Sequence, residues 1–340
     1  MTVSGVILFS LNAQSASQSA RFEKQLAFIV VSLVLIVVTS QINYRRFLHY
    51  SYIIYLLGLI ILAAVLVFGT TVNGTTGWFQ FAGISLQPVE FAKIAFILAA
   101  ARFLADRSFE MERWTTVARY GGLLLAYIGL VLLQPDLGSA VILGGIAGVM
   151  GLATAIRPRQ LALIGVVAVS LGVISWFTVL DTYQQNRLLT FIDPQRDPFR
   201  SGYNVTQAVI SVGSGQWFGR GLGLGPQSQL QFLPERETDF IFAVIGEELG
   251  FIGAGTVIVI FTLLIWRLWR SSRSLTDDRA RYVVVGYCAL LFGQAMINIG
   301  MNIGIMPVTG IPLPFVSAGG SSLLAMGLGL GMVLNALSKR

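Results

Sequence analysis

Apolar residues in this 340-residue chain run in blocks long enough to cross hydrocarbon, separated by short polar intervals and one long one. The blocks predict helices over Leu26–Thr39, Tyr50–Gly69, Pro88–Leu104, Tyr120–Leu133, Leu137–Ala155, Leu161–Leu180, Asp239–Trp269, Tyr282–Ile305 and Leu323–Leu337. Val3–Leu11 is apolar but about half a span in length, and no basic residue precedes it, against a secretory signal. It reads as the remnant of a first helix that begins further upstream. The expectation is an all-α polytopic membrane protein of about ten helices, forming a single integral domain over residues 1–340. A large extracytoplasmic loop, residues 181–238, precedes the eighth helix. Smaller breaks fall at the glycine-bearing polar stretch Asn73–Gln87, at Gln134–Pro135–Asp136 and at the proline-rich Pro307–Ser317. Proline is tolerated in a first helical turn, so Pro88 opens a helix rather than ending one.

Composition agrees. Residues are 55% hydrophobic and 11% charged, against roughly 25% charged in soluble domains. The net charge of +7 is loop bias toward lipid headgroups, since no basic face backed by a soluble fold exists to bind nucleic acid. One cysteine, Cys288, and one histidine, His49, exclude a disulfide framework and a Cys/His metal site. The basic residues sort by loop. Arg45, Arg46, Arg102, Arg107, Arg113, Arg119, Arg157, Arg159, Arg267, Arg270, Arg273, Arg279, Arg281, Lys339 and Arg340 share one face, cytoplasmic by the positive-inside rule. The long loop and the junction Leu233–Gly250, where Glu235, Arg236, Glu237 and Asp239 run into an apolar segment, then face outward.

Candidate chemistry gathers at few positions. Asp239, at the membrane edge, is the centre of any reaction. Glu90 and Lys93 are three apart on a helix and share a face, as a structural ion pair or as the wall of a pocket for a charged headgroup. Asp136, at a helix break, suits a cap as well as a catalyst. Arg187, Arg196 and Arg200, interleaved with Asp193 and Asp197, form either a self-paired solvated loop or a basic cradle for pyrophosphate. Gly219, Gly221, Gly223 and Gly225 alternate without a strand-and-helix unit around them, so close backbone approach explains them better than a dinucleotide fingerprint. Glu247 and Glu248 rank as structural partners for loop or helix-end groups.

Three separated motifs resemble one family. The run from Asn298 through Gly304-Ile-Met-Pro-Val-Thr-Gly-Ile-Pro-Leu-Pro-Phe-Val-Ser-Ala-Gly-Gly-Ser-Ser322 is similar to the signature of the SEDS (shape, elongation, division and sporulation) family. LPERETDFIFAVIGEELG resembles its outer-face motif and TVNGTTGWFQFAGISLQPVEFAK its early loop, with wording nearer the elongation than the division members. Ala318 stands where many members carry tyrosine. The resemblance implies a peptidoglycan glycosyltransferase of the bacterial cytoplasmic (inner) membrane. Its substrate would be lipid II, an undecaprenyl-pyrophosphate-linked disaccharide peptide, and its partners a class B penicillin-binding transpeptidase and the elongation machinery. It also implies that the essential outer aspartate falls on Asp239, the early-loop tryptophan on Trp78 and the acidic and basic helix pair on Glu90 and Lys93.

That chemistry suits the residues. Moving a sugar from a lipid pyrophosphate to a hydroxyl with inversion needs a carboxylate to take the hydroxyl proton, the role open to Asp239. The departing pyrophosphate needs positive charge, which arginines, Lys93 or a divalent cation such as Mg or Mn could supply, although no ligand cluster shows in the sequence. Two other classes stay open here: a lipid II flippase or transporter, which shares the buried ion pair and broken helices, and a non-catalytic scaffold for the transpeptidase.

Overall fold

The computed structural model describes residues 16–72, 74–81, 84–178, 182–193, 196–197, 201–230 and 232–339. The amino-terminal Val3–Leu11 lies outside them. The chain is helical, in the order α1 Ala16–Gln41, α2 Tyr44–His49, α3 Ser51–Phe68, a three-stranded sheet of β1 Thr70–Val72, β2 Thr75–Phe81 and β3 Ile84–Leu86, α4 Pro88–Arg107, α5 Trp114–Leu133, α6 Leu137–Leu152, α7 Pro158–Thr178, α8 Thr182–Ile192, α9 Ser201–Ser214, α10 Pro226–Gln229, α11 Ile241–Ser272, α12 Asp278–Asn302 and α13 Gly320–Ser338. Among the described residues seven helices (α1, α3, α5, α7, α11, α12 and α13) are long and apolar enough to cross a membrane, and α6 is a shorter apolar helix.

Two compact units emerge. One comprises residues 1–35, 186–267 and 291–327, the other residues 36–185, 268–290 and 328–340. In the second, α4 is the buried centre, with Val89 to Ala101 almost wholly shielded and α3, α5 and α6 packed on it. Its alanines let those neighbours approach. Apolar side chains along α7, among them Val166, Val169 and Phe177, are exposed, as the lipid-facing side of a spanning helix must be.

Three segments differ from the sequence expectation. The polar stretch 70–87 is an antiparallel sheet rather than a loop, pairing Thr71 with Thr76 and Gln80 with Ser85. Its β-branched and aromatic residues favour strands, and Gly74 takes the left-handed conformation (φ +81°) that a tight hairpin requires. Second, α5 begins at Trp114, so Arg119 is an exposed side chain on a helix end instead of a loop residue. Third, the long polar interval is largely helical. Val205, Ala208 and Ser211 recur at helical spacing and are buried along α9, so an amphipathic face orders a segment whose charge density reads as loop.

Helix α11 is broken. Gly250 has φ +67° and ψ −166°, outside helical geometry, leaving the buried half-helix Ile241–Leu249 and a longer arm from Phe251. That arm, Phe251–Ser272, is about 33 Å long at 1.5 Å per residue, long enough to cross the bilayer by itself. The freed groups are satisfied by residues 216–221. Arg220 and Gly221 N–H donate to the Glu247 and Glu248 carbonyls (3.0 and 3.1 Å), while Phe251 and Ile252 N–H donate to the Gln216 and Trp217 carbonyls (2.7 and 3.2 Å). Gly219, at φ +81°, passes so close that a Cβ there would lie 2.2 Å from the Glu248 carbonyl oxygen. Close backbone approach is therefore the reason for glycine at this position.

Candidate active site

Asp239 sits immediately before α11, in the first unit, and its main chain is held by a dense set of donors. Ala318 N–H reaches the Glu237 carbonyl at 2.8 Å and Ser317 Oγ the Thr238 carbonyl at 2.6 Å. Asn298 Nδ2 and Asn302 Nδ2 both donate to the Asp239 carbonyl at 3.0 Å. Asn302 Oδ1 then accepts from Ala243 N–H at 3.0 Å, so one carboxamide bridges both ends of the first helical turn. Asn298 also donates to the Ile311 carbonyl at 2.8 Å, tying the proline-rich loop to the same centre. Both asparagines are fully buried and four residues apart on α12, hence on one face. Sequence reading placed Asn298 only within a motif and missed Asn302. The available signal was a pair of carboxamides at i, i+4 in an apolar spanning helix, where such groups find hydrogen bonds across helices.

The carboxyl group of Asp239 is strongly perturbed. Burial raises its pKa from 3.8 to about 6, the charge of Glu235 adds to the rise, and Arg187 and a hydrogen bond from Thr238 oppose it. Arg187, on α8, is thus brought into the field of Asp239, as a pyrophosphate-binding role would need. Gly310, at φ +73°, passes beside the carboxylate, where a Cβ would lie 3.6 Å from Oδ2. Arg196 is placed differently. It pairs with Asp193 at 3.7 Å, both side chains more than half exposed, and lines a cavity of about 430 Å³ with Asn186, Leu189, Thr190 and Asp197. Arg200 lies outside the described residues. Glu247 is a structural partner, its two oxygens accepting from Gln227 N–H (2.8 Å) and Ser228 N–H (3.0 Å) at the start of α10. Among the described residues no group of three or more His, Cys, Asp and Glu is placed to hold a metal ion.

The second unit holds the other predicted residues. Lys93 Nζ donates to Glu90 Oε1 at 2.7 Å with both side chains sealed from solvent. Asp136 caps α6, Oδ1 accepting from Ser139 N–H at 2.9 Å, and lies within electrostatic reach of both. Burial raises its pKa, against the pull of Ser139 and Lys93. Gln134, beside it, donates to the Leu62 carbonyl at 3.0 Å. Trp78 is in β2, which packs on α4, and follows Gly77 at a register shift in the β1–β2 pairing, the kind of irregularity that re-aims a side chain. Gly77 itself lies against Gln134, a Cβ there coming within 3.4 Å of Oε1.

Lys93 therefore stands among two carboxylates, and removing it should be worse than removing Glu90. Breaking a buried pair costs about 3–5 kcal/mol. Glu90→Gln leaves Lys93 with Asp136, whereas Lys93→Met leaves two buried carboxylates facing each other. The expected order of thermal stability in detergent is wild type, then Glu90→Gln, then Lys93→Met, with the double variant above the sum of the single losses. Simple additivity, or equal loss in the two single variants, would show that the three groups do not act together.

Comparison with known proteins fits this geometry. The model of the FtsW/RodA/SpoVE family, described as cell cycle proteins, matches residues 1–340. The chain is 41% identical to a probable peptidoglycan glycosyltransferase FtsW of Alcanivorax borkumensis over 81% of this chain and 73% of that one. It is 36% identical to the peptidoglycan glycosyltransferase MrdB of Escherichia coli K12 over 98% of this chain and 90% of that one. Among solved structures it resembles a chain of a peptidoglycan synthase complex that coordinates polymerization and crosslinking, with a TM-score of 0.84, 31% identity and coverage of 100% of this chain and 96% of that one. It also resembles the rod shape determining protein RodA of Thermus thermophilus, with a TM-score of 0.73, 29% identity and coverage of 99% and 93%. With the motif at Asn298–Ser322, the clamped aspartate and a family match along its whole length, this chain belongs to the FtsW/RodA/SpoVE family, the SEDS proteins.

Proposed function

We propose that the chain is a peptidoglycan glycosyltransferase of the elongation type that polymerises lipid II, with Asp239 as its general base. The observation that carries the reading is Asp239 itself, a carboxyl group near pKa 6 fixed by its own backbone at the mouth of a buried half-helix. A base with that affinity is ionised at neutral pH yet basic enough to accept a proton from a sugar hydroxyl as it attacks. The acceptor oxygen bonds to the anomeric carbon of the donor sugar on the face opposite the pyrophosphate. The carbon–oxygen bond to the pyrophosphate breaks, its electron pair leaves with the lipid pyrophosphate, and the acceptor proton passes to Asp239. Arg187 meets the negative charge that grows on the leaving group, and Arg196 and Arg200 are assigned from the sequence to the same substrate. Trp78, Glu90 and Lys93 are assigned to substrate binding, the latter two as ionisable residues within a membrane protein are by default.

The reading places the protein in the bacterial cytoplasmic membrane with Asp239 outward and a class B penicillin-binding transpeptidase as its partner. The likeness to a chain of a solved synthase complex that coordinates polymerization and crosslinking supports that pairing. Labelling in intact cells checks the orientation. In a Cys288→Ala background, a membrane-impermeant thiol reagent should modify a cysteine at the exposed Glu235 position and spare one at the exposed Arg113 position. The reverse pattern would invert the topology.

Asp239→Asn should lower lipid II polymerisation by purified protein about 10²- to 10⁴-fold, the usual contribution of a general base. Its stability should change in the opposite sense. A carboxyl group whose folded pKa is raised from 3.8 to about 6 favours the fold below pH 3.8, and that contribution is lost as pH rises through 6. Asparagine never ionises, so the variant should melt at or above the wild-type temperature at pH 7, with its relative advantage growing between pH 4 and pH 7. Near-normal polymerisation by the variant would remove Asp239 as base, and a large drop in melting temperature would make its role structural.

A further inference from the structure

We propose that the Thr309 hydroxyl is a substrate-contacting group of the Asp239 site, donating a hydrogen bond to an oxygen of the acceptor sugar while the attacking hydroxyl faces the carboxylate. The inference rests on the reading of Asp239 given above. Its starting point is an anomaly of hydrogen bonding. Thr309 Oγ1 is sealed from solvent and has no hydrogen-bond partner among the described residues. Buried hydroxyls are almost always paired, because a donor removed from water and left unmatched costs free energy, so an exception calls for an explanation such as a ligand. The nearby hydroxyls of the same assembly are used. Ser317 Oγ donates to the Thr238 carbonyl at 2.6 Å and accepts from Leu313 N–H at 2.8 Å, while Thr238 Oγ1 bonds to Glu235 at 3.2 Å.

Placement supplies the second argument. Thr309 precedes Gly310, the residue whose Cβ position lies 3.6 Å from Asp239 Oδ2, so this strip of loop runs alongside the reactive carboxylate. The strip is held without the Thr309 hydroxyl. Val308 and Ile311 are buried on either side of it, and the Ile311 carbonyl is fixed by Asn298. Chemistry supplies the third. An ionised carboxylate only accepts hydrogen bonds, so Asp239 alone leaves a pyranose free to rotate about the bond from its attacking hydroxyl. A fixed donor one residue from Gly310 would remove that freedom by engaging a ring hydroxyl or the acetamido oxygen of the sugar.

The test uses the full-length protein in detergent with lipid II, comparing Thr309→Val, which keeps the shape and deletes the hydroxyl, with Thr309→Ser, which keeps the hydroxyl. Thr309→Val should lower kcat/KM about 10- to 100-fold, without lowering the melting temperature. Thr309→Ser should stay within about threefold of wild type. Should the valine variant fail to fold, Thr309→Ala serves as the hydroxyl-free form. Wild-type kcat/KM in the hydroxyl-free variant would overturn the proposal. So would an equal loss in serine and valine, which would assign the role to methyl packing, or a lowered melting temperature with unchanged kinetics, which would make the hydroxyl structural. Asp239→Asn assayed in parallel separates the two ideas. An inactive asparagine variant beside a fully active valine variant removes Thr309 alone, whereas an active asparagine variant removes the general base itself.

Discussion

Backbone N–H and C=O groups that enter hydrocarbon must find partners within the protein, and α11 is where that constraint is most demanding. The helix starts inside its unit and breaks again at Gly250, so it has unsatisfied groups at both places. At the start, Asn298, Asn302, Ser317 and the Ala318 N–H meet three successive carbonyls, from Glu237 to Asp239. At the break, residues 216–221 exchange four hydrogen bonds with residues 247–252. The half-helix between is fixed at both ends and buried along its length. Asp239 gains its rigidity from this arrangement, because the bonds from Asn298, Asn302, Ser317 and Ala318 all go to backbone carbonyls and leave the carboxylate, apart from its bond from Thr238, to chemistry.

The protein handles its buried charges in two ways that match two tasks. Lys93 is matched by Glu90 at 2.7 Å and by the field of Asp136, so opposite charges offset one another out of water. Among the described residues Asp239 has no such close cation. Arg187 acts on it electrostatically, but burial and Glu235 outweigh that pull, and the carboxyl group is left with a raised proton affinity. The first solution keeps opposite charges paired out of water. The second gives up stability above pH 6 to obtain a group that can gain and lose a proton near neutrality.

Much of this was legible in the sequence, for identifiable reasons. Spanning helices announce themselves because about 20 apolar residues are needed to cross the bilayer, and the positions of Asp239, Glu90 and Lys93 stand out because charge next to or within such blocks is costly. The sheet at 70–86 was hidden because glycine and polar residues read as loop, although Asn73–Gly74 is itself a hairpin signal. Helix α9 was hidden because the arginines and aspartates preceding it masked its amphipathic period. The break at Gly250 carried no local warning, since glycine is common in spanning helices and the segment that fills the gap lies some thirty residues away in the chain. Asn302 was overlooked for a related reason: its role is defined by the backbone it holds, and sequence spacing alone does not reveal a tertiary partner.

The account turns on the proton affinity of one carboxyl group, and the pH dependence of lipid II polymerisation by the purified wild-type protein measures it most directly. If Asp239 must be ionised to act, kcat/KM should rise about tenfold per pH unit at low pH, bend at about 6 and level off above it. A profile that is flat from pH 5 to pH 7, or that bends near the ordinary carboxylate value of 3.8, would contradict the assignment.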